Sequence, residues 1–237
     1  MTLLRHTATT HIGKVRKVNE DSILSIPDQQ VWVVSDGMGG HAGGDFASRT
    51  VVDSVATMPI LGDPAEQMQA LRRSILAAHD TILREIAARG GGTIGATVVA
   101  LMISDAHFVC LWAGDSRLYR MRGGQIEMLT TDHSIVAALV LDGQMSWDEA
   151  EHHPQSNAIT RAVGVGEALE LDKVRGPLDR GDRFLLCSDG LTKYAGFETL
   201  ANALRDTPIE VVADKLMAIA LDGGGADNIS IIVVDVV

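Results

Sequence analysis

The chain has 237 residues, 46% hydrophobic and 22% charged, which suits one globular domain with a sizeable core. Twenty Lys and Arg against 31 Asp and Glu give a formal charge of −11, a balance that repels nucleic-acid backbones and anionic lipid and excludes both as expected partners. The first residues lack the basic start and apolar stretch of a leader, no window reaches the roughly 18 apolar residues of a membrane span, and Cys110 and Cys187 sit in apolar runs as reduced core thiols, so a cytoplasmic location is expected.

In chain order, residues 23–26 and 31–34 read as short strands. Asp63-Pro64 then supplies an N-cap and a first-turn proline. Met68, Leu71, Ile75, Ala78, Ile82 and Ile86 follow at spacings of three and four until Gly90-Gly-Gly92, which predicts one long amphipathic helix. Strands are predicted over 96–103 and 107–112, and over 117–121 and 125–129; the connections are short enough to force antiparallel pairing. Ser146-Trp-Asp-Glu149 opens a short polar segment through His152-His153-Pro154 that reads as a surface insertion. A strand over 184–187 comes next, then Thr207-Pro-Ile-Glu210 as a capping box for a helix with Val212, Leu216 and Ile219 inward and Gly223 at its end. Residues 229–234 form the last strand. Hairpin-linked strands with separately placed helices predict an α+β domain.

Three apolar runs end in an Asp followed by a small residue: Asp36-Gly37, Asp115-Ser116 and Asp189-Gly190. A fourth, Asp227-Asn228, precedes the last strand. Singly, each is an ordinary turn residue. Together at strand ends they would repel one another strongly unless a cation intervened, and oxygen donors without paired His or Cys select Mg²⁺ or Mn²⁺ over zinc. Two such ions sharing a carboxylate lower the pKa of water and clamp a phosphoryl group, which suggests metal-dependent hydrolysis of a phosphate ester. Arg16, four residues before Glu20-Asp21, could fork onto phosphate oxygens; on spacing alone a surface ion pair is the favoured reading.

Arg16-x-x-Asn-Glu-Asp21, Asp36-Gly-Met-Gly-Gly-His41, Gly95-Ala-Thr97, Gly114-Asp-Ser-Arg117, Thr131-Asp-His133, Thr160-Arg-Ala-Val-Gly164, Ser188-Asp-Gly190 and Asp227-Asn228 stand in one order and spacing. That ordered set resembles the bacterial type-2C, metal-dependent protein serine/threonine phosphatases over nearly the whole chain. The resemblance implies a four-layer αββα sandwich, two antiparallel sheets face to face with helices outside, forming one catalytic domain over 1–237. It implies two core Mn²⁺ or Mg²⁺ ions and a weaker third. Asp36 would bridge the core pair, Asp189 and Asp227 would complete one ion, and Glu20 with the Gly37 carbonyl the other. Asp21 would hold metal-bound water from behind, and Asp115 with Asp189 matches the third ion. Arg16 matches the phosphate-binding arginine, and the insertion at 145–156, within 133–160, matches a flap beside the site.

Eukaryotic relatives carry a His directly after Asp-Gly; here Met38 stands there, as is common in bacterial members. His41 is therefore a candidate general acid, as is metal-bound water, and His41 could instead only stabilise its loop. The implied partners are phosphorylated proteins and an opposing Ser/Thr protein kinase system, with type VI secretion as one setting. The alternative is a non-catalytic type-2C-like binding or regulatory module, against which the retained acids argue. A thiolate mechanism is excluded, because neither Cys110 nor Cys187 stands in a Cys-x5-Arg loop.

Overall fold

A computed structural model describes residues 3–39, 43–104 and 106–237. The elements in order are β1 (Leu4–His11), β2 (Asp21–Ile26), β3 (Val31–Met38), α1 (Gly43–Ala56), α2 (Pro64–Ala88), β4 (Gly95–Ala96), β5 (Val98–Ser104), β6 (His107–Ala113), β7 (Arg117–Arg122) and β8 (Gln125–Met128). They continue with α3 (Ile135–Leu141), α4 (Trp147–Ala150), β9 (Asp172–Pro177), β10 (Arg183–Cys187), α5 (Asp189–Thr192), α6 (Phe197–Asp206), α7 (Ile209–Gly223) and β11 (Ile229–Val236). Two antiparallel sheets result. One has the order β1-β11-β10-β7-β8, the other β2-β3-β5-β6-β9 with β4 attached to β3.

Strand alternation sorts the apolar side chains into three layers of core. Trp32, Val34, Leu101 and Cys110 of one sheet meet Leu118, Phe184, Leu186 and Ile232 of the other. The opposite faces point outward: Val33, Ala100 and Leu111 pack under Val51, Leu71 and Ile75 of α1 and α2, while Leu185, Ile231 and Val233 pack under Leu200, Val212 and Leu216 of α6 and α7. This is the expected αββα layering. Both cysteines are free and buried within it, and burial pushes both thiols above their ordinary pKa. No helix among the described residues is long and apolar enough to cross a membrane.

Helix α2 begins where its cap predicts, Asp63 accepting from the Glu66 N–H at 2.9 Å. The start of α7 is different from expectation. Thr207 makes no capping hydrogen bond; its hydroxyl instead accepts from Lys215 Nζ, and Pro208 stands at the N-cap. The reciprocal capping box belongs to Ser146 and Glu149 at α4. The single strand expected over 96–103 is broken at Thr97, with consequences for the site. The insertion is also less superficial than expected, since Ala150 is buried and Glu151 pairs with buried Arg117.

Candidate metal and phosphate site

The acids meet where both sheets end. β2 and β3 pair in a register that sets Asp21 opposite Asp36, and the Gly37 N–H donates to the Glu20 carbonyl at 3.1 Å. The break at Thr97 serves Asp36: Thr97 N–H donates to the Asp36 carbonyl at 2.8 Å, and Thr97 Oγ1 accepts from the Asp36 N–H at 2.9 Å. Thr97 Oγ1 also lies 2.6 Å from Ser116 Oγ, tying the loop of Asp115 to Asp36. From the other sheet, Asp189 opens α5 after β10 and Asp227 stands just ahead of β11.

Close backbone approach makes glycine obligatory at several points, Gly37 and Gly13 among them. A Cβ on Gly37 would sit 2.1 Å from the Gly44 carbonyl oxygen, and one on Gly13, at φ +82°, would sit 2.1 Å from the Asp227 carbonyl oxygen. The second contact lets the segment carrying Arg16 lie against Asp227. Asn228 fastens the same junction, its Oδ1 accepting from the Glu20 N–H at 2.8 Å while its Nδ2 donates to the carbonyls of Ile12 and Val18.

A cleft of about 600 Å³ opens here, walled by Arg16, Glu20, Asp36, Gly37, Asp115, Asp189 and Asp227 among others, with Asn157 and Ile159 of the 133–160 segment also lining it. Eight sequence-predicted residues are thus placed together, Asp21 lying behind the wall; His41 lies outside the described residues. Three side chains to which the sequence assigned no role, Thr97 and Asn228 within the motifs and Lys193 outside them, also take part.

The electrostatics are those of crowded carboxylates. Burial pushes Asp21 up to about 7, with Asp189 and Asp227 adding repulsion and the Ser188 hydroxyl, donating at 2.8 Å, opposing it. Asp36 is held well above the ordinary range by burial and then by Asp21, Asp189, Asp115 and Asp227. Asp115 is raised by burial and then by Asp189 and Asp132. Asp227 differs: burial disfavours its charge, but Arg16 at 2.8 Å, Lys193 at 3.3 Å and the Asn228 N–H outweigh that and hold it low. Lys193 Nζ also lies 2.7 Å from Asp189 Oδ2.

The donor set fits a hard cation. It is all oxygen, and Asp21 Oδ1 and Asp189 Oδ1 are buried acceptors without a hydrogen-bond partner, an arrangement costly to a protein that offers them nothing positive. Among the described residues no three acids close on a single point, and Arg16 and Lys193 engage Asp227 and Asp189.

Comparison with known proteins gives consistent matches. Residues 9–223 match the family model for protein phosphatase 2C. The serine/threonine protein phosphatase PstP of Mycobacterium tuberculosis is 33% identical over 99% of this chain, which spans 45% of that relative's length. The solved structure of PppA, a key regulatory component of T6SS in Pseudomonas aeruginosa, superposes with a TM-score of 0.92 at 41% identity, covering 99% of this chain and 98% of that one. The PstP catalytic domain in complex with two manganese ions superposes at 0.87 and 32% identity, with full coverage of both.

Proposed function

Because this chain belongs to the protein phosphatase 2C family, we propose that it hydrolyses phosphoserine and phosphothreonine in proteins with the help of Mn²⁺ or Mg²⁺. The observation that carries this reading is the convergence of Glu20, Asp36, Asp115, Asp189 and Asp227 with Arg16 around one cleft, in which a buried carboxylate oxygen has no partner. Asp36, the Gly37 carbonyl, Glu20, Asp189 and Asp227 would hold two core ions, and Asp115 with Asp189 a weaker third. When bound, such ions supply Lewis acidity and lower the pKa of water.

The chain's own residues do the rest. Asp21, behind Asp36 and fixed by Ser188, orients what the front acids hold. Arg16, half exposed on the cleft wall, presents a planar fork to two phosphate oxygens. Asn157 and Ile159 line the cleft, which supports residues 133–160 as the substrate-selecting flap of a catalytic domain over 1–237. A poor alkoxide leaving group benefits from a proton, for which His41 is the candidate. A setting in type VI secretion is supported by the similarity to PppA, and an opposing Ser/Thr kinase is what hydrolysis of phosphoserine and phosphothreonine would itself call for.

Phosphate release from a phosphothreonine peptide should require Mn²⁺ and be lost with chelator or in Asp189→Asn. Hydrolysis surviving both would sink the two-metal reading. Failure to hydrolyse any phosphoester with Mn²⁺ would instead favour a non-catalytic module.

A further inference from the structure

Lys193 is a cation the proposed reaction leaves unused. It follows α5, so the helical i,i+4 relation sets its ammonium over Asp189, while β11 brings Asp227 to the same point. Its side chain is 17% exposed, against 50% for Arg16. Arg16 walls the cleft; Lys193 does not, and reaches the same acids from beside α5. Burial disfavours its charge, and Asp189 and Asp227 more than reverse this. Both cations share Asp227 Oδ2, but only one is placed to meet a substrate.

We propose that Lys193 is an internal counter-ion that competes with a divalent cation for Asp189 and Asp227 and so sets how tightly the site takes up metal. The inference rests on the reading of those two acids as metal ligands. A carboxylate lone pair can accept an N–H or bind a metal, and an ammonium on a flexible four-carbon stem can withdraw, so the exchange is reversible; a rigid bidentate guanidinium would let go less readily. The same lysine offsets the repulsion among Asp36, Asp189 and Asp227 when divalent cation is scarce.

The test is calorimetric titration of Mn²⁺ into chelator-stripped wild type, Lys193→Met and Lys193→Gln, with melting of each stripped protein measured alongside; Gln retains a hydrogen-bond donor should Met fail to fold. The neutral variants should bind Mn²⁺ about tenfold more tightly, the low end of what one nearby charge does to a carboxylate's affinity for a cation. They should also melt at lower temperature when stripped. Lys193→Arg should bind no more tightly than wild type. Affinity in the neutral variants within twofold of wild type, or weaker, would overturn the proposal. No Mn²⁺ uptake by any of the proteins, wild type included, would overturn the reading of Asp189 and Asp227 as ligands and this inference with it.

Discussion

Two clusters of buried charge lie close together in this molecule, and they are built on opposite plans. Around Arg117 each of two acids is matched to a contact with one shared cation: the guanidinium contacts both Asp132 oxygens at 2.7–3.1 Å, reaches Glu151 at 2.7 Å, and has the Trp147 ring 5.1 Å from it. Around Asp36 they are unmatched, with five aspartates against two lysine or arginine side chains and two carboxylate oxygens left without partners. A matched cluster holds elements in place, here the insertion through Glu151 on α4's end. An unmatched one is a demand for ligand. The fold therefore spends stability in one place and recovers it next door.

The sharpest way to break the comparison is to unbalance the matched side. Arg117→Met would leave Asp132 and Glu151 buried without their cation, which typically costs about 3–5 kcal/mol. Urea unfolding should show that loss as a lower midpoint with an unchanged slope. A loss below about 1 kcal/mol would mean the pair is as dispensable as a surface bridge, and the contrast between the clusters would fall.

The unmatched side should respond with the opposite sign. Asp36→Asn removes one of the mutually repelling carboxylates, so the chelator-stripped variant should be more stable than wild type by about 1 kcal/mol, one pKa unit being worth roughly that. Mn²⁺ should no longer stabilise it as it does wild type, since the proposed bridging ligand is gone. A variant less stable than wild type under chelator would show that Asp36 is structural.

How much of this was legible beforehand depended on whether the signal was local. Asp36, Asp115 and Asp189 announced themselves because each follows an apolar strand and precedes a small residue. Asp63-Pro64 announced α2 for the same reason, its cap lying within three residues. β1 and β9 did not, because each is an edge strand with alternating exposure and little apolar content. α1 was hidden by its Gly43-Gly44 start and its inward Val51, Val52 and Val55, which favour strands by propensity and are overridden by packing on β3. Thr207 carried a capping-box pattern yet spends its hydroxyl on Lys215, eight residues on. The partners of Arg16 and Lys193 on Asp227 lie 211 and 34 residues away, distances at which spacing carries no information.

The smallest effect separates the two clusters by pH. His133 borders the matched one, stacked on Trp112 with ring centroids 6.1 Å apart, its Nδ1 accepting from the Gly114 N–H at 3.1 Å and its Nε2 3.2 Å from Asp172. Burial lowers its pKa below 6.5, Arg161 assists, and Asp172 opposes. In the unfolded chain the ring takes up a proton near 6.5, whereas in the folded protein it stays neutral to lower pH. The unfolded state therefore binds more protons in that window, and His133's contribution to stability falls as pH drops through 6.5 towards the folded value. Asp132 and Glu151, both raised chiefly by burial, act in the opposite sense, so wild-type stability alone would not isolate the ring. The difference between wild type and His133→Gln does: it should shrink in wild type's disfavour between pH 7.5 and 5.5. If the difference is the same at both pH values, the ring titrates alike folded and unfolded, and its packing against Trp112 does not desolvate it.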